Sequence, residues 1–167
     1  MEGEIEMSKK ICVIFNVWLI IWFFLDMVGF KIRNFILVES AWKDDGVFFL
    51  VYILLFLFFC LKEKQGKYPL TIFLSLWLVI QFFSHWYYTI FGASEKKLLS
   101  YNRYFANTYH VIPASDSLLV PDLYHVLLHL FILIALVFMA MFTLKLGRTE
   151  ITATSQNNHI VKCMEED

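Results

Sequence analysis

The chain has 167 residues, of which 59% are hydrophobic, 19% aromatic and only 17% charged, with a formal net charge of −1. Soluble domains are about 45–50% apolar and about 25% charged. This composition disfavours a soluble enzyme, a nucleic-acid-binding protein and a disordered chain. The near-zero net charge provides no long-range attraction for nucleic acid. We therefore predict an integral membrane protein that binds no nucleic acid.

Four apolar runs predict membrane-spanning helices at about 11–30, 46–61, 68–91 and 122–144. A helix needs ~20 residues to cross a hydrocarbon core of about 30 Å. The second run is short, and we expect it to gain a turn from Ala41 and Trp42 or to lie where the bilayer is thin. The predicted fold is an all-α, polytopic four-helix transmembrane bundle with up-down-up-down topology.

The segments outside these spans differ in character. Residues 31–45 and 95–110 mix charges with aromatic and aliphatic side chains, which predicts segments that lie in the membrane interface, the second as a short amphipathic helix. Residues 149–167 are rich in Thr, Ser, Asn and Glu and predict a flexible polar tail after a transmembrane domain of residues 1–148.

The positions of lysine and arginine predict the orientation of the chain. With the N-terminus inside, the cytoplasmic side holds eight of these residues and the other side six. The cytoplasmic set includes a dense group at 62–67 and another at 145–148. By the positive-inside rule we expect both termini in the cytoplasm, with the protein in the plasma membrane.

Polar residues inside the spans are the candidate site, because such groups are costly in a membrane. In the fourth span Asp122, His125 and His129 share one helix face. A stripe on the third span contains Gln81, Ser84, His85 and Tyr88, and Asp26 lies near the end of the first span. His85 and His129 lie at similar depths, roughly 9 and 10 Å from the same end of the bundle. The predicted ligand-binding residues are Asp26, Gln81, His85, Tyr88, Asp122, His125 and His129.

Four interpretations of this cluster stay open. Three histidines with one aspartate could bind zinc or another divalent transition metal, and the candidate ligands are His85, His125, His129 and Asp122. A pocket could instead bind a lipid headgroup or small amphiphile. Histidine beside a carboxylate could form a proton-linked site. The polar side chains could also do no more than pack the helices together.

The leading functional hypothesis is a pocket in the outer leaflet that binds a lipid-like or small polar ligand, with or without a metal. One alternative is a metal-dependent membrane enzyme that acts on a lipid-borne group. Another is a non-catalytic accessory or scaffold subunit, alone as a homo-oligomer or in a larger membrane complex. The three cysteines form no Cys-x-x-Cys pair, which excludes membrane thiol oxidoreductases that depend on this motif. No catalytic motif decides whether the chain is an enzyme.

Overall fold

The computed structural model describes residues 2–113, 115 and 117–165, with the side chains of 2–5, 7 and 148–165 left out. Six α-helices are α1 (Glu2–Val28), α2 (Trp42–Leu61), α3 (Glu63–Gln81), α4 (Tyr87–Phe91), α5 (Glu95–Tyr104) and α6 (Leu123–Glu165). A π-helical segment, Phe82–Trp86, joins α3 to α4. Two strands, β1 (Phe30–Ile32) and β2 (Phe35–Val38), form an antiparallel hairpin between α1 and α2.

Within the described residues, four helical stretches are long and apolar enough to cross a membrane: Ser8–Val28, Trp42–Leu61, Glu63–Phe91 and Leu123–Gly147. They match the four predicted spans. The second begins at Trp42, so it gains the extra turn expected from the sequence. In each stretch, only 22–33% of the most apolar 18-residue segment is buried inside the protein. Most of the apolar surface therefore faces outward, as it does in a helix that is solvated by lipid.

The long helices form a four-membered ring in which α1 and α3 each pack against both α2 and α6. The core consists mainly of aromatic and long aliphatic side chains from all four helices. Phe23, for example, contacts Phe49 and Trp77 with ring centroids 5.3 and 4.7 Å apart. Such aromatic pairs add to the stabilisation from burial alone.

Asn16 of α1 has a structural role in this core. It is fully buried, its amide nitrogen donates to the Cys12 carbonyl over 2.8 Å, and its side-chain oxygen accepts from Tyr52 of α2 over 2.9 Å. The Tyr52–Asn16 hydrogen bond therefore links α1 to α2 at a point remote from the polar end of the bundle.

Replacing Tyr52 with phenylalanine removes the donor and leaves the Asn16 oxygen without this partner. We expect Tyr52→Phe to lower the free energy of unfolding in detergent by about 1 kcal/mol. The control is Tyr87→Phe, which changes an exposed tyrosine. Equal stability of the two variants would contradict the role assigned to Asn16.

The structure differs from the sequence-based prediction in one connecting region. Residues 30–38 form the β-hairpin, where the sequence predicts only an interfacial segment and an all-α fold. Arg33 adopts a positive φ of 52° in its turn, a conformation that side-chain periodicity does not reveal. Beyond the fourth span, the backbone of residues 149–165 continues α6. No proline interrupts this stretch. The predicted short helix after the third span is present as α5.

Candidate functional site

A polar cavity of about 290 Å³ lies where α1, α2, the π-helical segment and α6 meet the hairpin and the segment after α5. Five of the seven predicted site residues line it: Asp26, Gln81, His85, Asp122 and His125. The remaining lining residues are Val38, Glu39, Ala41, Asp45, Ile80, Ser84, Tyr104, Phe105 and Thr108. The structure thus brings predicted residues from three separate spans to one cavity.

The cavity wall is acidic. Asp26, Glu39, Asp45 and Asp122 contribute four carboxyl groups, and no lysine or arginine of the described residues is part of the lining. Asp26 near the end of α1 and Asp45 in the first turn of α2 are close enough for their carboxyl groups to hydrogen bond to each other. Two adjacent carboxylates repel unless a proton or a cation lies between them. This wall therefore favours positively charged partners.

Asp122 links the cavity to the start of α6. Its Oδ1 accepts hydrogen bonds from the His125 backbone nitrogen over 2.9 Å and from His125 Nδ1 over 2.6 Å. The backbone contact is that of an N-cap residue. Burial raises the pKa of Asp122, but the hydrogen bonds and the charge of His125 outweigh this effect and hold the pKa below its ordinary value. Asp122 is therefore an ionised, fully buried carboxylate.

The second oxygen of Asp122 has no such partner. Oδ2 is buried and accepts no hydrogen bond from the part of the chain that the structure describes. The nearby Thr108 hydroxyl donates to the Phe105 carbonyl over 3.0 Å, and it also lies close enough to Asp122 to contribute to the lowering of that carboxyl's pKa. A buried carboxylate oxygen without a donor is costly in free energy. This oxygen is the polar atom of the cavity wall that most requires a ligand.

The three histidines lie together, with ring centroids 4.7 Å apart for His85 and His125, 5.2 Å for His85 and His129, and 6.3 Å for His125 and His129. Their ring nitrogens, however, have other partners. His85 Nδ1 lies 2.8 Å from the Tyr101 hydroxyl, and His125 Nδ1 faces Asp122. Burial raises the pKa of Tyr101, so its phenol stays neutral.

Both nitrogens of His129 are occupied. Trp86 Nε1, which can only donate, lies 2.7 Å from His129 Nδ1, so Nδ1 accepts and the proton is on Nε2. Nε2 lies 3.0 Å from Gln81 Oε1 and donates to it. His129 is outside the cavity lining. Its hydrogen bonds link α6 to the end of α3 and to the π-helical segment.

These contacts explain why the metal prediction is not supported. Among the described residues, no group of three or more His, Cys, Asp or Glu side chains is arranged to hold a metal ion. Of the predicted metal ligands, His129 has no free nitrogen, and His85 and His125 each have one nitrogen engaged. Close imidazole rings are not sufficient, because a metal requires their lone pairs to point to one position.

Tyr88 also lies outside the cavity, because the helix changes its geometry just before it. The π-helical segment holds an extra residue in one turn, so an angle of 100° per residue no longer predicts the face of the residues that follow. Tyr88 instead packs against the small cluster of Leu98, Tyr101 and Leu119, and the Lys97 ammonium lies 5.0 Å from its ring centroid.

Sequence reasoning missed Asp45, Tyr101 and Trp86 as residues of this region. Asp45 was placed in an interfacial connection, although an acidic residue in the first turn of a helix signals its N-terminus. The sequence contains no signal for the contacts of Tyr101 and Trp86, because both depend on tertiary packing.

A second cavity of about 170 Å³ adjoins the first and shares five lining residues with it: Asp26, Asp45, Ile80, Gln81 and His125. The rest of its lining is apolar or aromatic and consists of Phe23, Phe48, Trp77, Tyr124 and Leu128. Asp26 and Asp45 therefore line both the acidic cavity and the adjoining aromatic cavity.

No protein-family model, curated protein or solved structure matches the chain. We therefore infer the function from the side chains of the site alone. They form an acidic cavity that contains the buried Asp122–His125 pair, and an adjoining aromatic cavity.

Proposed function

We propose that this chain is an integral membrane protein that binds a small polar or lipid-like ligand in the cavity of about 290 Å³ at one end of its helices. The observation that carries the proposal is that Asp122, a fully buried residue of the cavity lining, has a carboxylate oxygen, Oδ2, without a hydrogen-bond donor among the described residues. The outward-facing apolar surfaces of four long helices support the membrane location.

In this proposal the four long helices cross the plasma membrane alternately up and down, with both termini in the cytoplasm. The basic residues at 62–67 and 145–148 then lie on the cytoplasmic side, and the cavity opens toward the outer leaflet. The binding residues are Asp26, Gln81, His85, Asp122 and His125, together with Asp45.

Blocking the cavity tests this function. Ser84 is exposed and lines the cavity, so Ser84→Trp inserts bulk without removing a charge. The matched control is Leu76→Trp, which places the same side chain at an exposed position of α3. The wild type and both variants are purified in detergent, and bound small molecules are extracted and identified by mass spectrometry.

We expect the wild type and Leu76→Trp to retain the same compound in comparable amounts, and Ser84→Trp to retain less than about a tenth as much. Equal retention in all three proteins would contradict the proposal. So would a wild type that retains no compound and is not stabilised against heat by an extract of whole membranes.

The accessory-subunit hypothesis is the second candidate, and a specific observation favours it. His129 and Asn16 are buried polar residues whose hydrogen bonds to Trp86, Gln81 and Tyr52 link separate helical segments. If the cavity residues serve only to hold the helices together, Ser84→Trp will change neither the retained compounds nor the stabilisation by added ligand. The metal-dependent enzyme is not proposed, because the described residues offer no metal site.

A further inference from the structure

The charge of the cavity restricts the ligands that it can accept. Four carboxyl groups line it, without a lysine or arginine of the described chain to balance them. A phosphate or carboxylate headgroup would meet like charges in a partly buried site, which is unfavourable. A neutral ligand would leave the Asp26–Asp45 pair without a compensating positive charge.

Asp122 Oδ2 is an independent indication of what is bound. The oxygen is buried, belongs to a residue that lines the cavity and accepts no hydrogen bond from the described residues. Its ligand must therefore bring a donor. A donor that is also positively charged makes the stronger hydrogen bond to a carboxylate.

The adjoining aromatic cavity indicates the rest of the ligand. Phe23, Phe48 and Trp77 line it and contact one another, with ring centroids 4.7–6.3 Å apart. Their mutual packing holds the wall in place before any ligand arrives. Aromatic walls favour apolar groups and the weakly hydrated faces of organic cations.

An organic cation fits these features better than a metal ion. Bare metal ions require several ligand atoms directed at one point, and the described residues contain no such group. A primary ammonium has three N–H donors on one atom, whose directions adjust by rotation. It can pair with carboxylates on separate helices, while its substituent occupies the aromatic cavity.

From this combination we infer that the ligand is a protonated amine that carries a small apolar group, with its ammonium beside Asp26, Asp45 and Asp122 and its apolar part among Phe23, Phe48 and Trp77. The inference rests on the proposed binding function and adds the chemical class of the ligand.

The test uses n-hexylamine and 1-hexanol, which share a chain and differ in charge. At pH 7 the amine is protonated, since alkyl ammonium groups have pKa values of about 10.4. Each compound is titrated by calorimetry into the full chain in detergent, and the heat measured with empty micelles is subtracted. Proteins compared are the wild type, Asp26→Asn/Asp45→Asn, Asp122→Asn and the control Asp44→Asn.

Asp44 is a matched control because it precedes Asp45 in the same exposed turn of α2 and does not line either cavity. Asp122→Asn preserves the helix cap, because asparagine caps as well as aspartate. We expect saturable binding of hexylamine to the wild type and to Asp44→Asn. Affinity should fall at least 10-fold in the other two variants, and hexanol should bind the wild type at least 10-fold more weakly.

Three results would overturn the inference: hexanol binding as tightly as hexylamine, undiminished binding by Asp26→Asn/Asp45→Asn, or a response to Mg²⁺ or Ca²⁺ with none to hexylamine. If hexylamine fails while Ser84→Trp still displaces a retained compound, only the chemical class is wrong. If Ser84→Trp displaces nothing, the proposed function fails as well.

Discussion

Replacing His129 with leucine is expected to destabilise the protein while leaving the cavity able to bind. His129 accepts a hydrogen bond from Trp86 and donates one to Gln81, and it lies outside the cavity lining. Leucine fills similar space but forms neither hydrogen bond, so the Trp86 and Gln81 side chains each lose a partner. Since each buried polar group left unsatisfied costs about 1–3 kcal/mol, we expect the free energy of unfolding to fall by about 2 kcal/mol or more.

Two measurements separate this role from direct binding. Unfolding in detergent gives the change in stability, and mass spectrometry of retained compounds gives binding at a temperature where the variant is folded. His110→Leu is the control, because His110 lies in the connection before α6, where its Nδ1 contacts only the nearby Thr108 carbonyl over 3.0 Å. Loss of the retained compound from folded His129→Leu, at unchanged stability, would make His129 a binding residue.

Replacing Gly66 with alanine is expected to disrupt the contact between α2 and α3. Lys62 alone separates these helices, and the first turn of α3 packs tightly against the last turn of α2. A Cβ atom on Gly66 would lie 2.5 Å from the Cα and 2.6 Å from the backbone nitrogen of Phe59. Backbone atoms cannot rotate away as a side chain can, so the helices must separate. We expect a loss of about 3 kcal/mol or more in the free energy of unfolding.

Gly147→Ala is the matched control for this prediction. Gly147 is also helical, but its added Cβ would meet no neighbour closer than the Tyr68 hydroxyl at 4.0 Å. This variant should be as stable as the wild type or slightly more so, because alanine favours helix over glycine by about 1 kcal/mol. Thermal unfolding of both variants in the same detergent is the measurement. A Gly66→Ala protein as stable as Gly147→Ala would show that the helix contact is looser than the structure indicates.

The contrast between Asp122 and Tyr88 shows where helix periodicity can predict the position of a side chain and where it cannot. Asp122 caps the first turn of α6, and His125 and His129 follow it within the helix, which is regular there. Tyr88 was assigned to the face of His85 by the same calculation, but the π-helical segment Phe82–Trp86 lies between the regular helices and changes the angle. No residue pattern in the sequence predicts where a helix takes up an extra residue, since the surrounding packing decides it.

The sequence by itself determined the four apolar helices, the extension of the second to Trp42 and the presence of polar groups at one end of the bundle. These follow from local properties, namely the length of apolar runs and the positions of charges within them. Only the tertiary structure decided how each helix is rotated about its axis. That rotation pairs Asp26 with Asp45, directs His129 to Trp86 and Gln81, and places Asp122 in the lining of the cavity. Helix rotation depends on side-chain packing between distant segments, and no local pattern encodes it.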